Sequence, residues 1–224
     1  MNEKEQYEMK DTMLLFDLDG TLWDSSAEVA YTWNEVLQKR LPGCRLLTAQ
    51  DIQSVMGKTM NEIADTLFPG LDPEKRTAVF DECQEYENEY LSIHGATLMD
   101  GVRETLKELH KEGYSMAVVS NCQKGYIPAF IQSMKMSEFF CDYEEWGRTS
   151  LPKSDNIRLV MERNGFKKGI YIGDTQKDGD SSRAAGTLFI HAAYGYGTDS
   201  APDAVIHDLS GLPGAVSRLT GDAR

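Results

Sequence analysis

Acidic residues that could bind a metal ion come directly after short apolar runs of the sequence. Asp17 and Asp19 follow the run 13–16, and Asp174 follows the run 169–173, with Asp178 four residues further on. Carboxylates that lie close together repel one another and favour a divalent cation with oxygen ligands. Mg²⁺ fits this requirement, because it binds through one or two carboxylates together with phosphate and water. The pattern therefore predicts a magnesium site.

Three further polar residues stand where they could bind a phosphate group. Ser120 and Asn121 stand at the end of another apolar run, and Lys153 precedes a segment with helical periodicity. Hydroxyl and amide groups donate hydrogen bonds to phosphate oxygens, and a lysine adds a compact positive charge. Because phosphoryl transfer depends mainly on positioning and charge stabilisation, this set suits it. A carboxylate can also attack phosphorus to form an aspartyl phosphate, while a second carboxylate transfers the proton.

Short apolar runs alternate with helical segments and would bring these residues together. The runs are 13–17, 115–120, 169–174 and 187–193, and a fifth candidate strand covers 139–144. Alternating strands and helices favour an α/β fold, with a Rossmann-like parallel sheet flanked by helices. In such sheets ligands bind at the carboxyl ends of the strands. We therefore expect the site at that edge of the sheet.

The stretch 25–95 interrupts this alternation and contains no convincing strand. Ser25 begins a capping box, and helical patterns then recur at 49–55, 59–67 and 74–92. We predict an α/β core of residues 1–24 and 96–224, with a small all-helical cap, 25–95, inserted after the first strand. The last cap helix carries an acidic run, 81–90, which we expect to be a solvated helix face.

The charge of the chain restricts its partners. The 224 residues carry a formal net charge of −13 at pH 7, and the resulting field repels nucleic acid and anionic membranes. A locally positive site can still bind a small phosphorylated metabolite. The first residues contain no apolar segment long enough for a signal peptide, and the four cysteines form no CxxC pair. We expect a cytoplasmic protein, either a monomer or a homodimer, that binds no nucleic acid and no membrane.

Four motifs, taken in order, resemble those of the haloacid dehalogenase superfamily. They are DLDGTL at 17–22, Ser-Asn at 120–121, Lys153, and GDTQKD at 173–178. The helical insert resembles that of the alpha-helical cap subgroup, which includes phosphoglycolate phosphatase-like enzymes and beta-phosphoglucomutase. The resemblance extends over residues 12–208. It implies a magnesium-dependent phosphatase that works through an aspartyl phosphate.

The resemblance also implies a role for each acidic residue and for the lysine. Asp17 stands at the position of the nucleophile and would contact the metal. Asp19 stands at the position of the general acid/base, and its backbone carbonyl would bind the metal. Asp174 would be a metal ligand, and Asp178 would bind the metal directly or through water. Lys153 would neutralise the nucleophile and the phosphate.

The remaining candidates concern the phosphate and the rest of the substrate. Ser120, Asn121 and Gly20 are expected to bind the phosphate. Lys58 follows a glycine in the cap and could reach the substrate, with a surface lysine as the alternative. Trp23 could line the pocket or pack beneath the cap.

Two other functions remain open at this stage. A sugar-phosphate mutase of the beta-phosphoglucomutase type would keep every motif, but it should need a bisphosphate to prime it. A non-catalytic binding or regulatory protein on the same scaffold should lack motif carboxylates, and all of them are present. Asp19 argues against a carbon–halogen hydrolase and a phosphonate hydrolase of the same superfamily.

Overall fold

A computed structural model describes residues 9–222, so residues 1–8 and 223–224 of the predicted core lie outside the described part. The strands are β1 (Thr12–Phe16), β2 (Trp23–Asp24), β3 (Thr97–Leu98), β4 (Met116–Ser120), β5 (Phe140–Glu145), β6 (Lys168–Gly173), β7 (Leu188–Ala192) and β8 (Ala204–Ile206). The helices are α1 (Ser26–Arg40), α2 (Ala49–Gln53), α3 (Met60–Leu67), α4 (Pro73–His94), α5 (Val102–Lys111), α6 (Tyr126–Ser133), α7 (Trp146–Thr149), α8 (Lys153–Arg163), α9 (Gln176–Ala185) and α10 (Leu212–Thr220).

Six of these strands form one parallel sheet in the order β5-β4-β1-β6-β7-β8. The chain first adds β4 and β5 on one side of β1 and then adds β6, β7 and β8 on the other. Such a reversal opens a crevice beside the carboxyl ends of the central strands, where α/β proteins bind ligands. The predicted α/β class, with a parallel sheet flanked by helices, is confirmed.

The central strand packs on both faces, because helices cover the sheet on each side. Leu14 and Phe16 belong to the apolar cluster on one face, whereas Met13 and Leu15 belong to the cluster on the other. All four side chains are fully buried. Each such burial contributes about 1.5–3 kcal/mol. This packing fixes the position at which β1 ends and therefore the position of the residues that follow it.

The helices α1 to α4 lie between β2 and β3 in the chain and have an apolar cluster of their own. Its buried members include Trp33, Leu37, Phe80 and Cys83. The antiparallel pair β2–β3 joins the two ends of this insert. The helical insert after the first strand is thus confirmed, and its separate core supports the proposed division at 25–95. No helix among residues 9–222 is both long enough and apolar enough to cross a membrane.

Local details differ from the sequence prediction at three places. The strand β8 and the two-residue pair β2–β3 were not anticipated. Ser25 precedes α1, but its side chain makes no capping bond there, because its hydroxyl is used elsewhere. The predicted capping box at this helix is therefore wrong.

Candidate active site

Adjacent strand ends bring the motif residues together. Asp17 directly follows β1, Asp174 directly follows β6, and Ser120 is the last residue of β4. These three strands are neighbours in the sheet, so their carboxyl ends meet at one edge. Lys153 begins α8 and reaches the same place from the neighbouring helix.

Asp17, Asp174 and Asp178 form a compact group, which we call the acidic cluster. One carboxylate oxygen of each lies within 4.8 Å of the others, and all three side chains are buried. Burial, followed by the charge of Asp178, raises the pKa of Asp17 to about 6, although Lys153 opposes the shift. Burial and the charges of Asp178 and Asp17 raise the pKa of Asp174 to about 8. The cluster therefore holds more negative charge than its surroundings compensate.

Lys153 is a buried cation between two members of the acidic cluster. Its Nζ donates to Asp17 Oδ1 at 2.9 Å and to Asp178 Oδ1 at 2.6 Å. Burial alone would lower the pKa of Lys153, but the charges of Asp17 and Asp178 outweigh it and hold the pKa well above its ordinary value. Lys153 is therefore charged throughout the physiological pH range.

Asp178 serves two partners at once. It is the third residue of α9, and its Oδ2 accepts hydrogen bonds from the backbone N–H and the hydroxyl of Thr175 in a capping box. Its Oδ1 accepts the bond from Lys153. The capping interaction fixes the carboxylate, so the helix start and the acidic cluster depend on the same side chain.

The donors of the acidic cluster fit a hard divalent cation. Asp174 Oδ2 accepts a hydrogen bond from the backbone N–H of Tyr196 at 2.7 Å. Its other oxygen, Oδ1, is buried without a hydrogen-bond partner. A buried acceptor without a partner is costly, and a cation would satisfy it. Because the cluster offers oxygen ligands only, the chemistry of the set fits Mg²⁺.

Asp19 lies two residues beyond Asp17 but in a different environment. Its Oδ1 accepts hydrogen bonds from Ser25 Oγ at 2.7 Å and from the Tyr126 hydroxyl at 2.8 Å. Burial raises the pKa of Asp19 to about 7, although these hydroxyl groups favour the charged form. Sequence reasoning missed Ser25 and Tyr126 as partners of Asp19, and no short motif marks either residue.

Gly20 uses its backbone N–H within the chain, and its expected contact with the phosphate stays a prediction. That N–H donates to the carbonyl of Trp23 at 2.9 Å and so closes the turn after Asp19. The backbone at Gly20 has φ +79°, and a Cβ would lie 2.5 Å from Asp174 Oδ2. Glycine is needed here because the turn brings the backbone against the acidic cluster.

Contacts between the insert and the core close over the site. Asn121 Nδ2, directly after β4, donates to the carbonyl of Gly57 at 3.1 Å. On the surface, Lys177 Nζ pairs with Glu62 of α3 at 2.9 Å. The structure therefore shows the insert in contact with the strand ends.

A cavity of ≈ 40 Å³ lies beneath this contact. Asp19, Ser120 and Asn121 line it from the core, and apolar side chains line it from the insert, namely Val29, Ile52, Val55, Met60 and Ile63. Lys58 also lines the cavity, while its Nζ donates to Thr66 Oγ1 at 3.2 Å. Trp23 is fully buried against Tyr126 and Phe130 and is not among the lining residues.

Glu87 is the main departure from the expected solvated face of α4. Only 3% of its surface is exposed, and it lines the cavity. A signal existed in the sequence, because Phe80, Cys83, Glu87 and Leu91 follow helical spacing and form the buried stripe of α4. The surrounding acidic residues concealed this stripe.

The fold and the site together define a class of α/β hydrolases in which an aspartate at the end of the central strand lies beneath a helical cap. Residues 14–192 match the family model of the haloacid dehalogenase-like hydrolases, and the chain belongs to this family.

Curated relatives and solved structures agree with this assignment. The phosphoglycolate phosphatase of Rhodobacter capsulatus is 33% identical, over 92% of this chain and 97% of that protein. The phosphoglycolate phosphatase of Pseudomonas fluorescens (strain Pf0-1) is 29% identical, over 91% of this chain and 79% of that protein. The structure of a predicted phosphoglycolate phosphatase from Haemophilus somnus 129pt has a TM-score of 0.79 at 21% identity, covering 93% of this chain and 100% of that one.

Proposed function

We propose that the protein is a magnesium-dependent phosphatase that hydrolyses a small phosphorylated metabolite through an aspartyl phosphate on Asp17. The observation that carries this proposal is the contrast between Asp17 and Asp19. Asp17 is paired with the Lys153 ammonium, whereas Asp19 is held by two hydroxyl groups and has a pKa of about 7. Two carboxylates in unlike environments can act as nucleophile and as acid/base.

The reaction then proceeds in two steps. A carboxylate oxygen of Asp17 attacks phosphorus, the ester P–O bond breaks, and protonated Asp19 gives its proton to the leaving oxygen. Water next attacks the acyl phosphate while Asp19 takes a proton from it, which regenerates Asp17 and releases phosphate. Lys153 limits the repulsion between the Asp17 carboxylate and the incoming phosphate.

Asp17, Asp174 and the backbone carbonyl of Asp19 would hold the metal, and Asp178 would bind it directly or through water. Bound Mg²⁺ would supply positive charge that draws the phosphate oxygens towards the nucleophile. Ser120 and Asn121 would bind the same oxygens from the end of β4. The contact of the insert with the strand ends would exclude bulk water from the cavity.

The proposal also covers the cap, the location and the partners of the protein. The cap of residues 25–95 carries the part of the cavity that meets the leaving group, and Lys58 is one of the lining residues there. We propose a cytoplasmic enzyme, active as a monomer or a homodimer, with no nucleic acid and no membrane as partner. Its negative net charge supports the last two points.

A sugar-phosphate mutase is the second candidate, because such an enzyme would keep every motif residue found in this chain. A mutase should require a bisphosphate for turnover, whereas a phosphatase releases phosphate without one. A non-catalytic binding protein is disfavoured, because every motif carboxylate is present and buried in one site.

The decisive experiment measures phosphate release from a panel of phosphorylated metabolites and from p-nitrophenyl phosphate, with Mg²⁺ and with chelator. Asp17→Asn should lower kcat by ~1,000-fold or more, because the nucleophile is lost while the shape is kept. Asp180→Asn, on the exposed side of α9, is the matched control and should retain full activity. Full turnover by Asp17→Asn, or activity that is insensitive to chelator, would refute the proposal.

A further inference from the structure

Glu87 is a buried carboxylate at the insert side of the cavity, and no step of the proposed reaction uses it. Its Oε2 accepts a hydrogen bond from the indole Nε1 of Trp33 at 2.5 Å. Its Oε1 accepts one from Gln123 Nε2 at 3.0 Å. Both oxygens accept N–H groups, so the site is built around a hydrogen-bond acceptor.

The charge of Glu87 has no counterpart in the part of the chain that the structure describes. Its two partners are neutral, and no ion pair involves it among residues 9–222. Burial, together with the charge of Asp19, raises the pKa of Glu87 to about 8 despite these hydrogen bonds. A buried carboxylate without a cation is unfavourable for folding, so its presence in a ligand cavity points to a function.

Glu87 shares its cavity with the groups expected at the phosphate. Asp19, Ser120 and Asn121 line the core side, and Glu87 lines the insert side together with apolar side chains. Lys58 is the cation among the lining residues, but its ammonium contacts the hydroxyl of Thr66. A substrate with its phosphate at the strand ends would therefore extend its leaving group past apolar walls towards the Glu87 carboxylate.

We propose that Glu87 selects substrates whose leaving group carries a hydrogen-bond donor, best of all an ammonium group, and rejects those that carry a carboxylate. This inference rests on the proposed phosphatase function. An ammonium group supplies the positive counter-charge that the Glu87 carboxylate lacks, and a hydroxyl group supplies one further hydrogen-bond donor. A carboxylate places a like charge beside Glu87 in a largely apolar cavity. The specificity would thus differ from that of relatives named phosphoglycolate phosphatases, because the leaving group of phosphoglycolate bears a carboxylate.

The test uses four phosphate monoesters of similar length that differ at the distal group. They are 2-aminoethyl phosphate, 2-hydroxyethyl phosphate, propyl phosphate and 2-phosphoglycolate. At pH 8.5, where Glu87 is mostly ionised, kcat/KM should be highest for the amine and about 100-fold lower for the carboxylate, as expected for like charges a few ångströms apart at an intermediate dielectric. A preference of the native protein for 2-phosphoglycolate would overturn the inference.

Glu87→Gln isolates the charge, because the amide keeps the shape and can still accept from Trp33. The ratio between the amine and the carboxylate should fall at least about tenfold, with 2-phosphoglycolate gaining. Glu89→Gln makes the same substitution at an exposed position of α4 and should leave the ratio unchanged. An unchanged ratio in Glu87→Gln would overturn the inference.

A binding assay separates this inference from the proposed function. Asp17→Asn should be stabilised against thermal unfolding by 2-aminoethyl phosphate more than by 2-phosphoglycolate, and the added substitution Glu87→Gln should remove the difference. If no ester is hydrolysed but this binding preference holds, the proposed phosphatase function fails and the selection by Glu87 stands. If esters are hydrolysed without the preference, only the selection fails.

Discussion

Asp174→Asn should stabilise the protein in the absence of metal while removing its response to Mg²⁺. Asp174 is fully buried, Tyr196 satisfies one of its oxygens, and the other oxygen has no partner. An amide nitrogen in place of that oxygen could donate to the other carboxylates of the acidic cluster. The substitution keeps the shape and removes one of the charges that repel each other there.

The size of the effect follows from the shift of the pKa. Burial raises the pKa of Asp174 from 3.8 to about 8. At about 1.4 kcal/mol per unit, the full shift corresponds to about 6 kcal/mol as an upper bound. The three carboxylates of the acidic cluster share this cost, so we expect a gain of about 2 kcal/mol in the free energy of unfolding at pH 8 for removing one. For a chain of this length that gain raises Tm by about 4–8 °C.

The dependence on pH has a definite sign. Because the pKa of Asp174 is higher in the folded protein, its protonation stabilises the fold fully below pH 3.8, and this contribution is lost as the pH rises through about 8. Between these values the native protein should lose stability with rising pH. Asp174→Asn should lose less, since its amide does not titrate.

The assay is thermal unfolding with chelator and with saturating Mg²⁺, for the native protein, Asp174→Asn and the exposed control Asp180→Asn. Magnesium at 100 times its Kd should stabilise the native protein by about 2.7 kcal/mol and the variant by much less, so the order of stability reverses. If Asp174→Asn is destabilised with chelator, or keeps the full response to Mg²⁺, the electrostatic account of the acidic cluster is wrong.

Two further substitutions test the surroundings of the site. Tyr126→Phe removes a hydrogen-bond donor that favours ionised Asp19, so the pKa of Asp19 should rise. The alkaline limb of the kcat/KM profile should then move to higher pH, and the rate should fall about 3–10-fold. Tyr31→Phe, at an exposed position, should change neither the pH profile nor the rate. An alkaline limb that stays in place in Tyr126→Phe would contradict a role of the hydrogen bond from Tyr126 to Asp19. Gly20→Ala places a Cβ 2.5 Å from an oxygen of the acidic cluster, whereas Gly186→Ala has the same left-handed backbone and open space. In chemical denaturation Gly186→Ala should cost about 1–2 kcal/mol and Gly20→Ala clearly more, and equal costs would show that the close approach at Gly20 is unimportant.

The strand ends could be predicted from the sequence because each has a strong local signal. Asp17, Ser120 and Asp174 come at or just after the end of a short apolar run, and the alternation with helices implies parallel strands whose ends coincide. The structure brings these residues and Lys153 together as expected. Their roles in the reaction stay predictions until the substitutions are made.

Other features depend on contacts between distant parts of the chain and have no such signal. Tyr126 reaches Asp19 across 107 positions of sequence. Ser25 shows how a correct local pattern can be overruled, since its hydroxyl bonds with Asp19 instead of capping α1. Glu87 does have a local signal, the helical spacing of the buried stripe of α4, but the run of charges around it makes that signal hard to recognise.

The short antiparallel pair β2–β3 holds the two ends of the insert side by side, so the insert can be replaced as a unit. Asp24 pairs with Thr97, so the chain leaves the α/β core and returns to it at adjacent residues, ~5 Å apart as in any paired strands. A segment whose two ends meet can be exchanged for another of different length or sequence without moving the sheet, as in natural domain insertions. Protein engineers could therefore join a different insert to the core at Asp24 and Thr97. A graft made there would change the walls around the leaving group and leave the acidic cluster, whose residues belong to the α/β core, in place.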